Sequence, residues 1–309
     1  MRFAAVLAIM GAAFALSPAV VQAETLHIEG TMPAENDAAA GLSSMVVERF
    51  GGEHGSALSL AIEDALRDAY FRGEPYFRIL PPGGGNAPDG TLRGEAYTET
   101  DRSRVERERR VCVEEDDRGK CIKRETRKVE CRRTVIGFVY SIRLIAYNGN
   151  LLHSEDAERT REHVRCPGDD GDPPRPEQVA REFSRAIADE IRGKFVPAHG
   201  VREVRVMESR DGLRREDRDR FREAVRLTKQ DESAACAVWE ALLAANPDHA
   251  STVFNIGLCA ERRDERDEAA RFYRRTLELK PRDSYPLEGL GRLEGYDRAD
   301  RQLAAHFGA

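Results

Sequence analysis

The chain has 309 residues, of which 34% are charged and 7% aromatic, with 49 Lys and Arg against 55 Asp and Glu. That length predicts about two domains, each large enough for a modest core. The near balance of charge excludes a nucleic-acid binder that relies on bulk positive charge, and no apolar run beyond the N-terminus approaches the ~20 residues of a membrane-spanning helix. We therefore expect no nucleic-acid partner and no membrane-spanning segment in the mature chain.

The N-terminus has the features of a secretory signal peptide. Arg2 supplies a positive start, residues 3–16 form an uncharged apolar run, and small residues lead up to Ala23. We expect cleavage near Ala23, which makes residues 1–23 the signal peptide and places the mature protein in the periplasm or outside the cell. A retained N-terminal anchor helix is the alternative. Cleavage removes one basic residue and leaves 48 basic against 55 acidic residues, a net charge of −7.

Six cysteines, an even number, suit an oxidising compartment, where thiols pair as disulfides. They are Cys112, Cys121, Cys131, Cys166, Cys236 and Cys259. Connectivity is not fixed by the count, since six cysteines allow fifteen pairings. A zinc site is the competing interpretation, but these spacings lack the close cysteine pairs that zinc sites use. We expect disulfides and no metal.

The pairing of Cys131 with Cys166 follows from a predicted hairpin. Asn-Gly at 148–149, between apolar residues, is a strong signal for a two-residue turn. In that turn Tyr147 faces Asn150, so facing residue numbers sum to 297, as 131 and 166 also do. If no bulge intervenes, the two thiols lie opposite each other in a hydrogen-bonded pair. Such a pair has Cα atoms ~5.5 Å apart, a span that a disulfide accepts.

The other four cysteines are constrained less tightly. Cys112 and Cys121 flank the charged loop 114–120, which predicts a second hairpin that brings them close together. Cys236 and Cys259 fall on successive predicted helices, where they form either a third disulfide or two small buried residues.

Residues 24–207 predict an α+β domain. Apolar residues at helical spacing predict one helix after Ser56, its possible N-cap, and a second amphipathic helix that follows Pro176 and ends near Pro197. The polar, Gly-rich residues 31–54 predict an irregular lead-in. Strand patterns lie at 25–29, 75–80, 91–99, 104–115, 120–130, 134–147, 151–165 and 201–207. This order predicts an antiparallel-rich sheet with two helices.

After a linker at 208–212, residues 213–309 predict helices with a period of 34 residues. The pattern resembles the tetratricopeptide repeat (TPR), which has small residues where two helices cross and Pro where the second helix stops. The matching residues are Ala235, Trp239, Pro247, Asn255, Ile256, Gly257, Ala269, Tyr273, Pro281, Leu290 and Gly291. A third match at 296–299 needs a loop four residues shorter, which predicts a truncated third unit or a terminal cap.

This resemblance implies an all-α TPR solenoid whose concave groove holds a peptide or a protein partner without catalysis. Stacking is also expected on physical grounds, because one helix pair cannot bury its apolar face alone. At least three repeats are normally needed for stability, so the alternative is an array that only stabilises the fold or a dimer.

The N-terminal domain also shows an order of elements found in a group of envelope proteins. A helix leads into a strand over 57–80, a long strand leads to a Gly turn over 138–152, and a helix closes the unit at 178–193. This order resembles the periplasmic domains of the CsgG and LpoB group. The resemblance implies work at the outer membrane, either as a secretion-pore subunit or as an activator of cell-wall synthases.

Two features depart from that group. Glu24, and no lipid-bearing Cys, follows the predicted cleavage site, and the chain adds a hairpin at 104–133 with 12 basic and 8 acidic residues. Each such charge costs ~2–4 kcal/mol near the membrane midplane, which argues against a pore-forming role. Anionic envelope polymers or an acidic partner are candidates to dock on this hairpin, and a solvated strand pair explains the same pattern.

No catalytic constellation is apparent in the sequence. The seven histidines are scattered, and none forms an i, i+4 metal-binding pair. We expect no catalytic residues, cofactor or metal, and a binding or adaptor protein of the cell envelope that docks a partner through the TPR groove. The alternatives are an envelope hydrolase or metal-dependent enzyme with a dispersed site, and a structural protein that self-associates.

Overall fold

The computed structural model describes residues 24–85 and 87–308, so the predicted signal peptide lies outside the described residues. The strands are β1 Thr25–Met32, β2 Ser44–Val47, β3 Tyr70–Phe71, β4 Glu74–Pro75, β5 Arg78–Leu80, β6 Gly90–Glu115, β7 Cys121–Ala146, β8 Leu151–Arg165 and β9 Ala198–Arg205. The helices are α1 Asp37–Ala40, α2 Gly55–Arg67, α3 Pro176–Phe195, α4 Arg218–Leu227, α5 Glu232–Leu243, α6 Ala250–Arg262, α7 Arg266–Leu279 and α8 Ser284–Phe307. Among the described residues, no helix combines the length and hydrophobicity that crossing a membrane requires. The predicted α+β region followed by a helical region is confirmed.

The chain divides into two compact units, each built from two separate stretches. The helical unit consists of the described residues up to Ile28 together with Arg202–Gly289. The sheet unit consists of Glu29–Val201 and the chain from Leu290 onward. These units differ from the contiguous domains expected at 24–207 and 213–309, because the divisions fall within β1, β9 and α8.

The sheet unit is built on a mixed five-stranded sheet of order β5-β2-β6-β7-β8. β2 runs parallel to both β5 and β6, and the β6–β7 and β7–β8 pairs are antiparallel. β2 lies in the segment that the sequence predicted to be irregular, so that prediction was wrong. The strand is only four residues long and all four are buried, so it lacks the alternating pattern that would identify it.

One face of this sheet is covered by α2 and α3, which pack against each other. The core side of β7 carries five alternate buried residues, as predicted: Ile136, Phe138, Tyr140, Ile142 and Leu144. Pro176 is the first residue of α3, where its missing N–H costs nothing. Ser56 is not the cap of α2, because that helix begins one residue earlier and its N-cap is His54, whose side chain makes no capping bond.

β6 and β7 are each 26 residues long and continuous, so the predicted breaks near residues 100–103 and 131–133 were wrong. The polar residues there suggested turns, but the backbone ladder between the two strands continues through both positions. β8 pairs with β7 only as far as Arg132 opposite Arg165. Beyond that point, residues 106–130 form a two-stranded arm, with about ten residues and roughly 33 Å in each strand.

The β7–β8 hairpin has the predicted register for a partly different reason. Its loop has three residues, closed by a bond from Ala146 N–H to the Asn150 carbonyl and carrying Gly149 at φ +86°. This loop type shifts the pairing by one residue, and a bulge between Leu144 and Ile145 shifts it back. Facing numbers therefore sum to 297 from Leu144 down to Arg132, although the predicted two-residue turn is absent.

Cys131 and Cys166 form the predicted disulfide, although not as the predicted hydrogen-bonded pair. Their Cα atoms lie 4.2 Å apart, close to the ~4.5 Å of a non-hydrogen-bonded pair. A second disulfide joins Cys112 to Cys121 at the end of the arm, as expected from their predicted proximity. A third, left open by the sequence, joins Cys236 of α5 to Cys259 of α6. Three disulfides indicate an oxidising, extracytoplasmic compartment.

In the helical unit, α4 packs on α5, α5 on α6 and α6 on α7. Every residue of α6 from Ser251 to Glu261 is buried, so neighbours surround this helix on all sides. α8 is one continuous helix, so the loop expected before the 296–299 match does not exist. Pro286 lies in the first turn of α8, where it is tolerated, and no later proline interrupts the helix.

Candidate functional site

Two predicted helix residues meet where α6 and α7 cross. A Cβ added to Gly257 would lie 2.7 Å from Cε1 of Tyr273, which is fully buried. The other side of the same ring lies against Gly289 at the start of α8, where an added Cβ would be 2.6 Å from Cε2. A Cβ added to Gly291, which the 34-residue repeat had matched, would meet no described atom within 4 Å apart from the neighbouring backbone of its own helix. In α8 the close contact with Tyr273 is therefore made by Gly289, which the repeat alignment missed, and not by Gly291.

The remaining matched residues are packing residues or follow helix ends. Ala235, Trp239, Ile256 and Ala269 are buried, and Leu290 is half-buried. Pro247 and Pro281 follow the last residues of α5 and α7 by a few positions, where proline prevents the helix from continuing.

Asn255, a fully buried polar residue of α6, binds a segment of its own chain. Its Oδ1 accepts the N–H of Met207 at 2.8 Å, and its Nδ2 donates to the Met207 carbonyl at 2.9 Å. The adjacent Val206 is fully buried and donates its N–H to the Glu24 carbonyl. The helix face that presents Asn255 is therefore covered, at this position, by the segment around Met207 of the same chain.

A charged cluster on α5 and α6 binds His27 of β1. Glu232 of α5 accepts the backbone N–H of His27 at 3.0 Å and its Nδ1 at 2.6 Å, and Arg262 donates to the other carboxylate oxygen at 2.7 Å. Burial raises the pKa of Glu232, but these bonds outweigh it and the net pKa is lowered. The bond to Glu232 in turn raises the pKa of His27.

The sheet unit contains a polar cavity of about 560 Å³ beside Glu155 and Lys194. Glu155 accepts from Lys194 Nζ at 2.5 Å and from the Tyr140 hydroxyl at 2.8 Å. Burial opposes ionisation of Glu155, yet these bonds prevail and lower its pKa, while burial raises the pKa of Tyr140 to about 12. Near neutral pH the carboxylate is ionised and the phenol is protonated. This geometry stabilises an ion pair between Glu155 and Lys194.

Among residues 24–85 and 87–308, no group of three or more His, Cys, Asp or Glu side chains is arranged to hold a metal ion.

A group of like charges lies where the arm leaves the sheet. Arg104 of β6 faces Arg132 of β7, and Arg132 faces Arg165 of β8, so three arginines lie in register on one face of three adjacent strands. We call these three residues the arginine row. Like charges directly opposite each other destabilise a sheet. With Glu130 and the Cys131–Cys166 disulfide, the row lines a cavity of about 330 Å³.

The two flanking arginines of the row have carboxylate partners, whereas the central one has none within the described ranges of the chain. Arg104 lies 3.2 Å from Glu130, and Arg165 lies 3.1 Å from Asp172, whose side chain is 92% exposed. Arg132 forms no ion pair with any residue in the part of the chain that the structure describes. The sequence shows only a basic hairpin, because the row depends on the registers of two strand pairs at once.

The tip of the arm is ordered by its own acidic loop. The Asp116 carboxylate accepts the backbone N–H groups of Arg118 and Lys120, and Gly119 takes φ +74° to complete the turn. Arg109 holds the side of the arm through two bonds to Asp169 in the loop after β8. These contacts give the arm a defined shape next to the arginine row.

Neither a known protein family nor a curated protein of similar sequence matches the chain.

Proposed function

We propose that this protein is an exported, non-catalytic binding protein of the periplasm that recognises an anionic partner through the arginine row. The observation that carries the proposal is Arg132, which lies between two facing arginines and has no ion-pair partner among the described residues. An anionic partner would relieve that repulsion and gain charge-assisted bonds. The three disulfides support export to an oxidising compartment.

In this proposal the helical unit supports the chain's own extended segments. Asn255 and Glu232 already bind backbone groups of Met207 and His27, so peptide docking at these positions would require displacement of the segment. Assembly or maintenance of the cell envelope is the setting that best fits an exported protein of this kind.

A crosslinked pull-down from native envelope extracts tests the proposal. The mature chain is compared with a variant in which Arg104, Arg132 and Arg165 are replaced by Gln. A matched control replaces three other exposed arginines of the arm, Arg107, Arg110 and Arg124, and removes the same charge. We expect partners to be lost with the row variant and retained with the control. Equal capture by all three proteins would contradict a role for the row.

A further inference from the structure

We propose that the arginine row is a binding site for a phosphate-type oxyanion. This inference rests on the proposed function, because it names the chemical group through which the anionic partner is held. It concerns Arg104, Arg132 and Arg165 and the cavity that they line with Glu130. No other residue needs to move for a ligand to reach the row, since all three arginine side chains are exposed.

The arginine row destabilises the pairing of the three strands that carry it. Each cross-strand pair of like charges disfavours the sheet, and Arg132 takes part in two such pairs. Glu130 compensates Arg104 directly, and Asp172 compensates Arg165 from a largely exposed position. The side chains that line the cavity carry three positive charges and one negative charge. With Asp172 counted as well, Arg132 is the arginine of the row that lacks a carboxylate partner among the described residues, and a bound anion would supply one.

The next row on the same face adds polar groups. Arg102 faces Thr134, and Thr134 faces His163. The Nε2 atom of His163 is buried and has no hydrogen-bond partner among the described residues. Buried polar atoms in folded proteins nearly always have a partner, so an unpaired ring nitrogen one row from three arginines is consistent with a polar ligand at this place.

The geometry favours a tetrahedral oxyanion over a carboxylate. Neighbouring strands are ~4.8 Å apart, so the row presents three guanidinium groups side by side on one face across roughly 10 Å. A carboxylate has two oxygens in one plane and is satisfied by a single guanidinium fork. A phosphomonoester has three terminal oxygens and a charge between about −1.5 and −2 near neutral pH, so it accepts bonds from several arginines at once.

Inorganic phosphate and a lipid phosphate headgroup share this chemistry, and two arms of one experiment separate them. In the first arm, phosphate is titrated into the mature chain and binding is followed by calorimetry. In the second arm, the chain is sedimented with phosphatidylcholine vesicles that contain or lack phosphatidic acid. Arg132→Gln removes the central arginine, and Arg124→Gln, an exposed residue nearer the tip, is the matched control.

We expect Arg132→Gln to weaken phosphate binding about tenfold or more, since a charge-assisted hydrogen bond is lost, and Arg124→Gln to leave it within about twofold. Sedimentation only with phosphatidic acid, reversed by free phosphate, would support a lipid source. Phosphate binding without sedimentation would support a soluble or polymer-borne phosphate. In phosphate-free buffer, Arg132→Gln should be at least as stable as the unaltered chain, so lost binding cannot be attributed to unfolding.

Undetectable phosphate binding, or equal weakening by both substitutions, would overturn the oxyanion site. If the row variant still loses its partners in the pull-down while phosphate does not bind, the proposed function stands and only the phosphate assignment falls. If phosphate binds at the row but no partner depends on it, the proposed function falls and the site remains.

Discussion

The carboxamide of Asn255 forms hydrogen bonds to both backbone polar groups of Met207, 48 residues earlier in the chain. The contact involves no side chain of the segment, so it holds an extended backbone whatever its sequence. The sheet unit contains the same chemistry, where Gln302 of α8 accepts the N–H of Ala34 at 2.8 Å and donates to its carbonyl at 3.0 Å. In each unit a buried carboxamide on a helix fixes an extended segment.

Asn255→Ala should destabilise the protein strongly. The substitution leaves a buried N–H and a buried carbonyl of Met207 without partners, and we expect the free energy of unfolding to fall by about 2–4 kcal/mol. Urea denaturation followed by circular dichroism measures the change. Gln230→Ala, at an exposed position beyond α4, is the control and should cost less than about 0.5 kcal/mol. A cost for Asn255→Ala no larger than that of the control would show that Asn255 does not hold the segment.

The sequence predicted those parts of the fold that have a strong local pattern. The alternating residues 136–144 of β7, the amphipathic α3 after Pro176 and the pairing of Cys131 with Cys166 all follow from periodicity or turn chemistry. The hairpin register was obtained because a three-residue loop and a bulge offset each other. The observed register therefore agrees partly by chance with the register predicted from facing residue numbers that sum to 297.

Other features depend on contacts that no local pattern reveals. β2 is recognisable only from its two parallel neighbours, and the continuity of β6 through residues 100–103 depends on the partner strand. The arginine row needs the registers of both β6–β7 and β7–β8, and the first of these includes bulges near the tip of the arm. The sequence alone therefore identified the basic hairpin but not the arginine row beside it.

Gly257→Ala should be destabilising, although alanine is the better helix former. The added Cβ would lie 2.7 Å from Cε1 of Tyr273, and this overpacking costs about 1–3 kcal/mol. The Cβ that Gly291→Ala adds would meet no described atom within 4 Å apart from the neighbouring backbone of its own helix, so this substitution should stabilise by about 0.5–1 kcal/mol through helix propensity. Urea unfolding of both variants gives the comparison.

A double-mutant cycle identifies the cause of the Gly257 effect. In a Tyr273→Leu background the ring is absent, so Gly257→Ala should cost markedly less than in the unaltered chain. An unchanged cost in that background would assign the effect to something other than the contact with Tyr273.

The two disulfides of the sheet unit should differ in their contribution to stability. Cys131 and Cys166 are buried and close a loop of 35 residues, so replacing both with Ser should lower the free energy of unfolding by about 2–4 kcal/mol. Cys112 and Cys121 lie at the tip of the arm, where replacement loosens only local structure and changes the global value by less than about 1 kcal/mol.

Limited proteolysis separates the local effect from the global one. Loss of the Cys112–Cys121 bond should speed tryptic cleavage within the arm and leave the urea midpoint nearly unchanged. Loss of Cys131–Cys166 should lower the midpoint itself. Equal midpoints for the two double variants would contradict this assignment.

His249 should make the helical unit less stable at mildly acidic pH. It is the N-cap of α6, it is 4% exposed, and its ring packs edge-on against Phe221 at 5.1 Å. Burial lowers the pKa of His249; of the nearby charges, Lys280 lowers it further and Asp211 opposes the shift. The unfolded chain, with an ordinary pKa of about 6.5, then binds the proton more readily than the folded one. The contribution of neutral His249 to the free energy of unfolding is therefore fully present above about pH 6.5. It is lost as the pH falls from there toward the lowered pKa of His249 in the folded protein.

His249→Asn tests this sign directly, because asparagine is a good N-cap and does not titrate. The loss of stability between about pH 7 and about pH 5 should be smaller in the variant than in the unaltered chain. Comparing the two proteins cancels the contributions of His153 and His306, whose pKa values burial also lowers, and of His27, whose pKa is raised by its bond to Glu232. Parallel stability curves for the two proteins would mean that His249 remains as easily protonated in the fold as in the unfolded chain.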